Sequence, residues 1–396
     1  MKIKININKI FQDLIYVIVF FALIKPDSLE YIGFTWLANL LVGLDGVLMI
    51  ILLILLFAGK FKISKMSLLI MLYFFIGFIT TVINCNDLYN LLKVAGPGIA
   101  VCLLTDFLIQ KKENVYFESI YLTLGLAYFL NFITILKYYP VGMYRMEKVV
   151  GDLYLMGYDN GMIYNLLPFC GVSLILSYKK RGKLISNISI FAISLTLLSE
   201  FFVKSASGII EILIFLFLSI SINNRLIKKI FTPTIVFFNY IFLSISINVF
   251  RIQNIFKYII VDILNKDLTF TNRTYLWDYA INLIKNNPIL GIGYGDKNIV
   301  GIYSRTYSHP HSLFLDIIVK GGIVLLATFI IILNRFRNCY KSSNNNIIKN
   351  IILSVICVFL IGEIINSVQY KIFFWSFLVL IEYADKITNK GDTNEK

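Results

Sequence analysis

Apolar runs of about twenty residues, the length that crosses a hydrocarbon core as a helix, recur from one end of this chain to the other. In lipid every backbone N–H and C=O must be satisfied within the protein, so runs of that length fold as helices. The chain has 396 residues, 58% hydrophobic and 15% charged, with a mean hydropathy of +0.77. A soluble globular domain does not have this balance, and no stretch outside residues 250–311 leaves room for one. The expectation is an all-α polytopic membrane protein, one integral domain over residues 1–396.

Segmentation places spans near residues 10–24, 38–58, 63–84, 90–110, 116–137, 159–178, 184–203, 206–222, 229–249, 312–334, 347–366 and 370–384, about twelve in all. The formal net charge of +14 first suggests nucleic acid, but in a membrane chain the position of the cations matters more than their sum. They fall in every second connection: Lys2, Lys4 and Lys9, then Lys60, Lys62 and Lys65, then Lys111 and Lys112. Lys179 to Lys183, Arg225 to Lys229, Arg335 to Lys341, and Lys386 with Lys390 continue the alternation. The positive-inside rule then puts both termini in the cytoplasm and residues 250–311 outside, as one large extracytoplasmic loop. No nucleic-acid partner is implied. The basic, apolar start lacks a small-residue cleavage site and reads as a retained first helix. Five scattered cysteines give no disulfide or metal spacing, and the polar tail 388–396 reads as disordered.

The loop carries the distinctive chemistry. Seven Lys/Arg stand there against four Asp, which points to an anionic ligand. Residues 272–286 read as a helix: Leu276, Ala280 and Ile284 recur at four-residue spacing, Trp277, Ile281 and Leu283 widen that face, and Pro288 follows the end. Arg273 falls in its first turn, where unpaired N–H groups and the dipole already favour an anion. A guanidinium there grips phosphate through two parallel bonds, or else snorkels to headgroups or caps local carbonyls. Gly291, Gly293 and Gly295 read as a tight turn and not as a nucleotide loop, because no strand–turn–helix unit surrounds them.

Both histidines of the chain, His309 and His311, flank Pro310 just before an apolar run. Pro310 restricts His309 to an extended backbone and suits the first turn of the following helix. Imidazole, with an ordinary pKa of about 6.5, takes a proton near neutral pH, so the pair is a candidate base or a structural pair at a helix end. Two histidines without nearby cysteine or an HExxH spacing leave a zinc ligand set incomplete. Arg145 and Lys148, Glu200, Lys204, Ser205 and Ser207 are further outward polar residues, expected to face a cavity or the interface. Glu363, Asn366 and Gln369 recur every three residues in the eleventh run, a polar stripe for helix–helix hydrogen bonds.

The run Arg273, Trp277, Ala280, Ile284, Pro288, Gly291 and Gly293, followed by His311, Leu315 and Gly322, resembles the signature of the O-antigen ligase and Wzy polysaccharide polymerase family. Arg145 with residues 157–160, and residues 204–208, are weaker similarities; Ser312 stands where the family has Asn, and Lys204 with Ser205 replaces an Arg pattern. The resemblance implies a GT-C-like glycosyltransferase on the outer face of the cytoplasmic (inner) membrane. Its substrate would be a polyprenyl-diphosphate-linked oligosaccharide, polymerised into surface polysaccharide or, as a ligase, moved to another acceptor. It implies His311 as base and Arg273 on the diphosphate, with Arg145, Lys204, Ser205, Arg305 and His309 in substrate binding and no metal or cofactor. Besides the lipid bilayer, a flippase and a chain-length regulator are the implied partners. A polysaccharide flippase or a small-solute transporter remains the non-enzyme alternative; either needs charged or broken helices at mid-membrane.

Overall fold

The computed structural model describes residues 7–387 apart from 146–151, 222–223, 264–266, 270–271, 296–298, 301–305, 365, 367–368 and 370. The tail expected to be disordered, 388–396, and Arg305 lie outside the described residues. Helices dominate. In chain order they are α1 (Ile7–Ile24), α2 (Thr35–Phe57), α3 (Lys65–Ile83), α4 (Leu88–Lys111), α5 (Glu113–Tyr138), α6 (Ile163–Arg181) and α7 (Asn187–Val203). Then come α8 (Ala206–Ile220), α9 (Arg225–Ile230), α10 (Pro233–Asn248), α11 (Arg273–Asn286), α12 (Leu313–Ser342), α13 (Asn346–Gly362) and α14 (Ile372–Leu380). Two small antiparallel sheets lie in loops: β1 (Tyr144–Arg145), β2 (Asp152–Tyr154) and β3 (Gly157–Tyr158) in one, β4 (Ile299–Val300) and β5 (Thr306–Tyr307) in the other.

Among the described residues six helices are long and apolar enough to cross a membrane, and six shorter apolar helices accompany them. The chain is a multi-pass membrane protein. Its surface agrees: the most apolar window of α2 has a mean hydropathy of 2.9 yet is only 17% buried, and Phe57 is 87% exposed. A water-soluble fold would bury that helix, whereas lipid solvates it.

Helix starts follow local capping chemistry. The Ser64 side chain accepts from Ser67 N–H at the start of α3, Asp87 accepts from Tyr89 N–H at α4, and Thr232 with Pro233 opens α10. Inside the bundle α3 packs along α12, α2 along α4, α1 along α5, and α14 against α4. Tyr73, Phe74 and Trp375 form an aromatic knot there, with ring centroids 5.2–5.4 Å apart.

Two expectations need correction. The run after the histidines is not one continuous helix: α12 breaks at Gly322, whose φ of 60° and ψ of −158° leave the helical region. The carbonyls stranded by the break are taken by the chain preceding it. Ile292 N–H donates to Val319 O (2.8 Å), Gly293 N–H donates to Lys320 O (2.9 Å), and Ile323 N–H donates to Pro288 O (2.9 Å). Residues 288–293 thus complete the broken ladder, so GIGYG is a segment wedged between α12 and α3 instead of a simple turn. A Cβ on Gly293 would lie 2.7 Å from Thr81 Cα, and one on Gly322 2.1 Å from Ile289 O, so both positions require glycine. Second, α13 ends at Gly362, so Glu363, Asn366 and Gln369 are not a stripe on a helix face but lie in the connection to α14.

Candidate active site at the start of α12

α11 begins at Arg273, one residue after the expected start, and buries Leu276, Trp277 and Ala280, the last two against Phe314, Leu315 and Val319 of α12. The amphipathic spacing read from the sequence therefore fixes which way the helix faces. Its packing on α12 brings Arg273 to the segment that carries the histidines. Burial lowers the Arg273 guanidinium from its ordinary range while Tyr164 of α6 raises it; it stays charged at any working pH.

The histidine segment is bent sharply. Pro310 precedes Ser312, the N-cap of α12, so the proline lies just before the helix and not in its first turn as expected. His311 has φ of 52°, a left-handed conformation uncommon outside glycine. Its N–H donates to His309 Nδ1 at 3.2 Å, and the rings lie 4.4 Å apart at 67°. Both rings keep part of their surface accessible, while packed protein surrounds the rest. Burial, helped by Lys320 and Arg273, pushes the His309 imidazole down to about 3. Burial, with His309 and Arg273, pushes His311 down to about 2, while Asn366 and Asp316 pull the other way. The ordinary value of about 6.5 assumed from sequence does not survive this surrounding, and both rings are neutral at pH 7.

Asn366 joins the site to α6. Its amide hydrogen-bonds the His311 side chain, and its Nδ2 donates to the Tyr164 hydroxyl at 3.0 Å. His311 Nδ1 is buried with no hydrogen-bond partner among the described residues, so the bond to Asn366 falls on Nε2, which carries the proton.

Beneath the pair lies a buried polar network. Asp316 accepts from Lys320 Nζ at 2.9 Å and from Gln369 Nε2 at 2.8 Å. Gln369 Oε1 in turn accepts from Tyr294 OH (2.7 Å) and Tyr73 OH (3.1 Å), and Lys320 lies 4.7 Å from the Tyr294 ring centre. Leu313 N–H donates to Glu363 O (3.1 Å) and Asn248 Nδ2 to Ser312 Oγ (2.5 Å), fixing the helix start. A buried ion pair this well hydrogen-bonded holds its neighbours in one arrangement at little net gain in stability.

Of the residues singled out in the sequence, Arg273, His309 and His311 come together. Lys204 and Ser205 engage neighbours of their own: the Lys204 ammonium sits over the Tyr139 ring at 5.5 Å, and Ser205 caps α8 through Gly208 N–H. Arg145 pairs through its backbone with Asp152 in the small β1–β2 sheet. Sequence reasoning missed Asn366, Tyr164, Asp316 and Lys320 as site residues. The i,i+4 pair Asp316 and Lys320 inside an apolar run was the available signal, since ionisable groups at that depth are costly unless used.

Comparison with known proteins agrees with this architecture. Residues 161–330, which hold Tyr164, α11, the histidine pair and the start of α12, match the family model described as O-antigen ligase. Over those residues the chain is similar to the O-antigen ligase and Wzy-type membrane proteins. It is also 31% identical over 88 residues to the exopolysaccharide production protein ExoQ of Rhizobium meliloti (strain 1021). That match covers 19% of this chain and 20% of the relative.

Proposed function

We propose that this protein is a glycosyltransferase that polymerises polyprenyl-diphosphate-linked oligosaccharide repeat units into surface polysaccharide. In this reading the chain makes about twelve passes with both termini in the cytoplasm, and the site opens on the outer face of the inner membrane. The single observation that carries it is the convergence of Arg273 with a neutral imidazole whose Nδ1 has no hydrogen-bond partner among the described residues. The acceptor oxygen attacks the anomeric carbon of the donor while its proton passes to His311 Nδ1. The bond from that carbon to the diphosphate oxygen breaks, and Arg273 holds the electron pair leaving on the diphosphate. Asn366 fixes the Nε2–H tautomer, and His309 holds the bent backbone of His311. A base as weak as buried His311 suits this step once the donor is bound, because the diphosphate's negative charge offsets the repulsion from Arg273 and raises the imidazole toward the working pH. Arg145 and Arg305 are further candidates for the diphosphate.

A ligase uses the same donor chemistry with a different acceptor. Purified protein given only lipid-linked repeat units separates the two: a polymer ladder is expected. Product that forms only when a chemically different acceptor is added would replace polymerase by ligase. No product with either would remove the enzyme reading.

A further inference from the structure

An apolar groove of about 530 Å³ lies between α8, α9, α10 and α13, within the range of about 300–1,000 Å³ that small-molecule sites occupy. Phe217 and Leu218 of α8, Ile227 and Ile230 of α9, and Leu360 and Ile361 of α13 form its walls. Its lining side chains are hydrocarbon apart from Asn239, Tyr240 and Cys357. Two exposed lysines of α9, Lys228 and Lys229, stand between Ile227 and Ile230 at one end of it. Lys228 acts on Lys349 in the first turn of α13, so that end of α13 lies beside α9. Cys357 and Ile361 follow about 12 and 18 Å further along the helix. The groove therefore runs inward from the lysines for about 15 Å, the hydrocarbon depth of one leaflet. This is not the end of the bundle that holds the histidines. α9 precedes the 16-residue α10, about 24 Å long, and the Arg273 turn meets the far end of α10, where Arg251 Nη2 donates to Thr274 O at 3.0 Å.

Asn239 is exposed in the groove about 9 Å along α10 from Pro233, at a depth where an amide facing bare hydrocarbon is costly. We infer that the groove holds an anionic glycerophospholipid. Its phosphate sits at Lys228 and Lys229, an acyl ester carbonyl accepts from Asn239 Nδ2, and one acyl chain runs along Leu243, Leu360 and Ile361. Charge and chemistry select this occupant. An isoprenoid diphosphate has no ester to meet Asn239, and the guanidinium that suits a diphosphate, Arg273, stands at the other end of α10. A zwitterionic lipid would set its own cation against the two lysines. The deep end of the groove is Ile364, between Glu363, whose O takes Leu313 N–H at 3.1 Å, and Asn366. The acyl chain thus packs under the connection that orients His311, whichever reaction the histidine site performs.

The test titrates the full chain in detergent with dioleoyl phosphatidylglycerol and counts bound lipid by native mass spectrometry. One tight equivalent is expected for the wild type, bound about thirtyfold more weakly after Lys228→Gln with Lys229→Gln. Asn239→Leu is expected to weaken it about tenfold with both lysines in place. So is Ile361→Trp, which fills the groove from a position 37% exposed, by about the same factor. Dioleoyl phosphatidylcholine should bind the wild type no more tightly than phosphatidylglycerol binds the double glutamine variant. Weakening by the lysine changes with none from Asn239→Leu or Ile361→Trp would mean that a basic surface merely attracts headgroups, and would overturn the seat. Equal binding of the two phospholipids overturns it as well. Geranylgeranyl diphosphate that displaces the tight equivalent at equal concentration would replace the phospholipid by an isoprenoid occupant.

Discussion

Two polar regions of this molecule are built from similar residues and come to different ends. At the α7–α8 turn, Lys204 and Ser205 follow Glu200, and Ser205 spends its hydroxyl on Gly208 N–H while Lys204 covers Tyr139. At the α11–α12 junction, Arg273, His309, His311, Asn366 and Tyr164 come from four separate parts of the chain and leave His311 Nδ1 without a partner among the described residues. In the first region the hydroxyl and the ammonium are used locally, as in a helix cap, and only the buried Glu200 carboxylate lacks a hydrogen-bond partner among the described residues. The second is held in place by contacts from segments distant in the chain, as a preorganised site would be.

The sharpest way to break this contrast is to remove the junction's chemistry. His311→Ala should lower the rate of polymer formation by about 10²–10⁴, the usual contribution of a general base. Arg273→Ala should fall comparably, and Arg273→Lys nearly as far, because the two-bond geometry is lost while the charge remains. His309→Ala should be milder. Wild-type polymer length and yield from His311→Ala would reduce the histidines to structural residues.

Next in size is the acid response. Both imidazoles are held below their unfolded value of about 6.5, so the unfolded chain binds protons first as pH falls. Stability should be full above about 6.5 and decline below it, by up to about 1.4 kcal/mol per pH unit for each ring. Thermal unfolding in detergent between pH 7 and 5 measures this, and His309→Gln with His311→Gln should flatten the slope. An unchanged slope would mean that the rings are solvated. By the same reasoning kcat/KM, which reports the free enzyme, should show no acid limb near 6.5.

Asn366→Ala should cost about tenfold in kcat, roughly 1.4 kcal/mol of barrier, by freeing the His311 tautomer. At the α7–α8 turn the effects should be smaller and of another kind. Ser205→Ala should lower stability by about 1 kcal/mol through the lost cap, with turnover per folded molecule unchanged. Lys204→Ala, at an exposed position, should stay within about 0.5 kcal/mol. A Lys204→Ala enzyme with strongly reduced turnover would return that turn to the active site.

The positions of the apolar helices, the face of α11 and the place of Arg273 in its first turn were legible in the sequence because each is a periodic or compositional signal. His309 and His311 stood out by rarity. Asn366 and Gln369 were seen as a spacing but assigned to a helix, since nothing in the apolar run marks its end at Gly362. The depressed basicity of His311 was out of reach because it depends on burial by segments distant in the chain and, after that, on His309 and Arg273. The break at Gly322 was signalled by the adjacent Gly321, but what fills the break belongs to residues 288–293 and is set by tertiary contact.

That filling has a consequence for biogenesis. Residues 288–293 leave the ribosome before α12 and, on the proposed topology, have already crossed when it inserts. The first part of α12, down to Gly322, cannot rest in lipid as a finished helix until that earlier segment returns to bond Val319 O and Lys320 O. Insertion of the tenth apolar run is thus a capture event as well as a partitioning event. Lengthening the chain between Asn286 and the histidines should delay maturation even where the finished protein is unchanged.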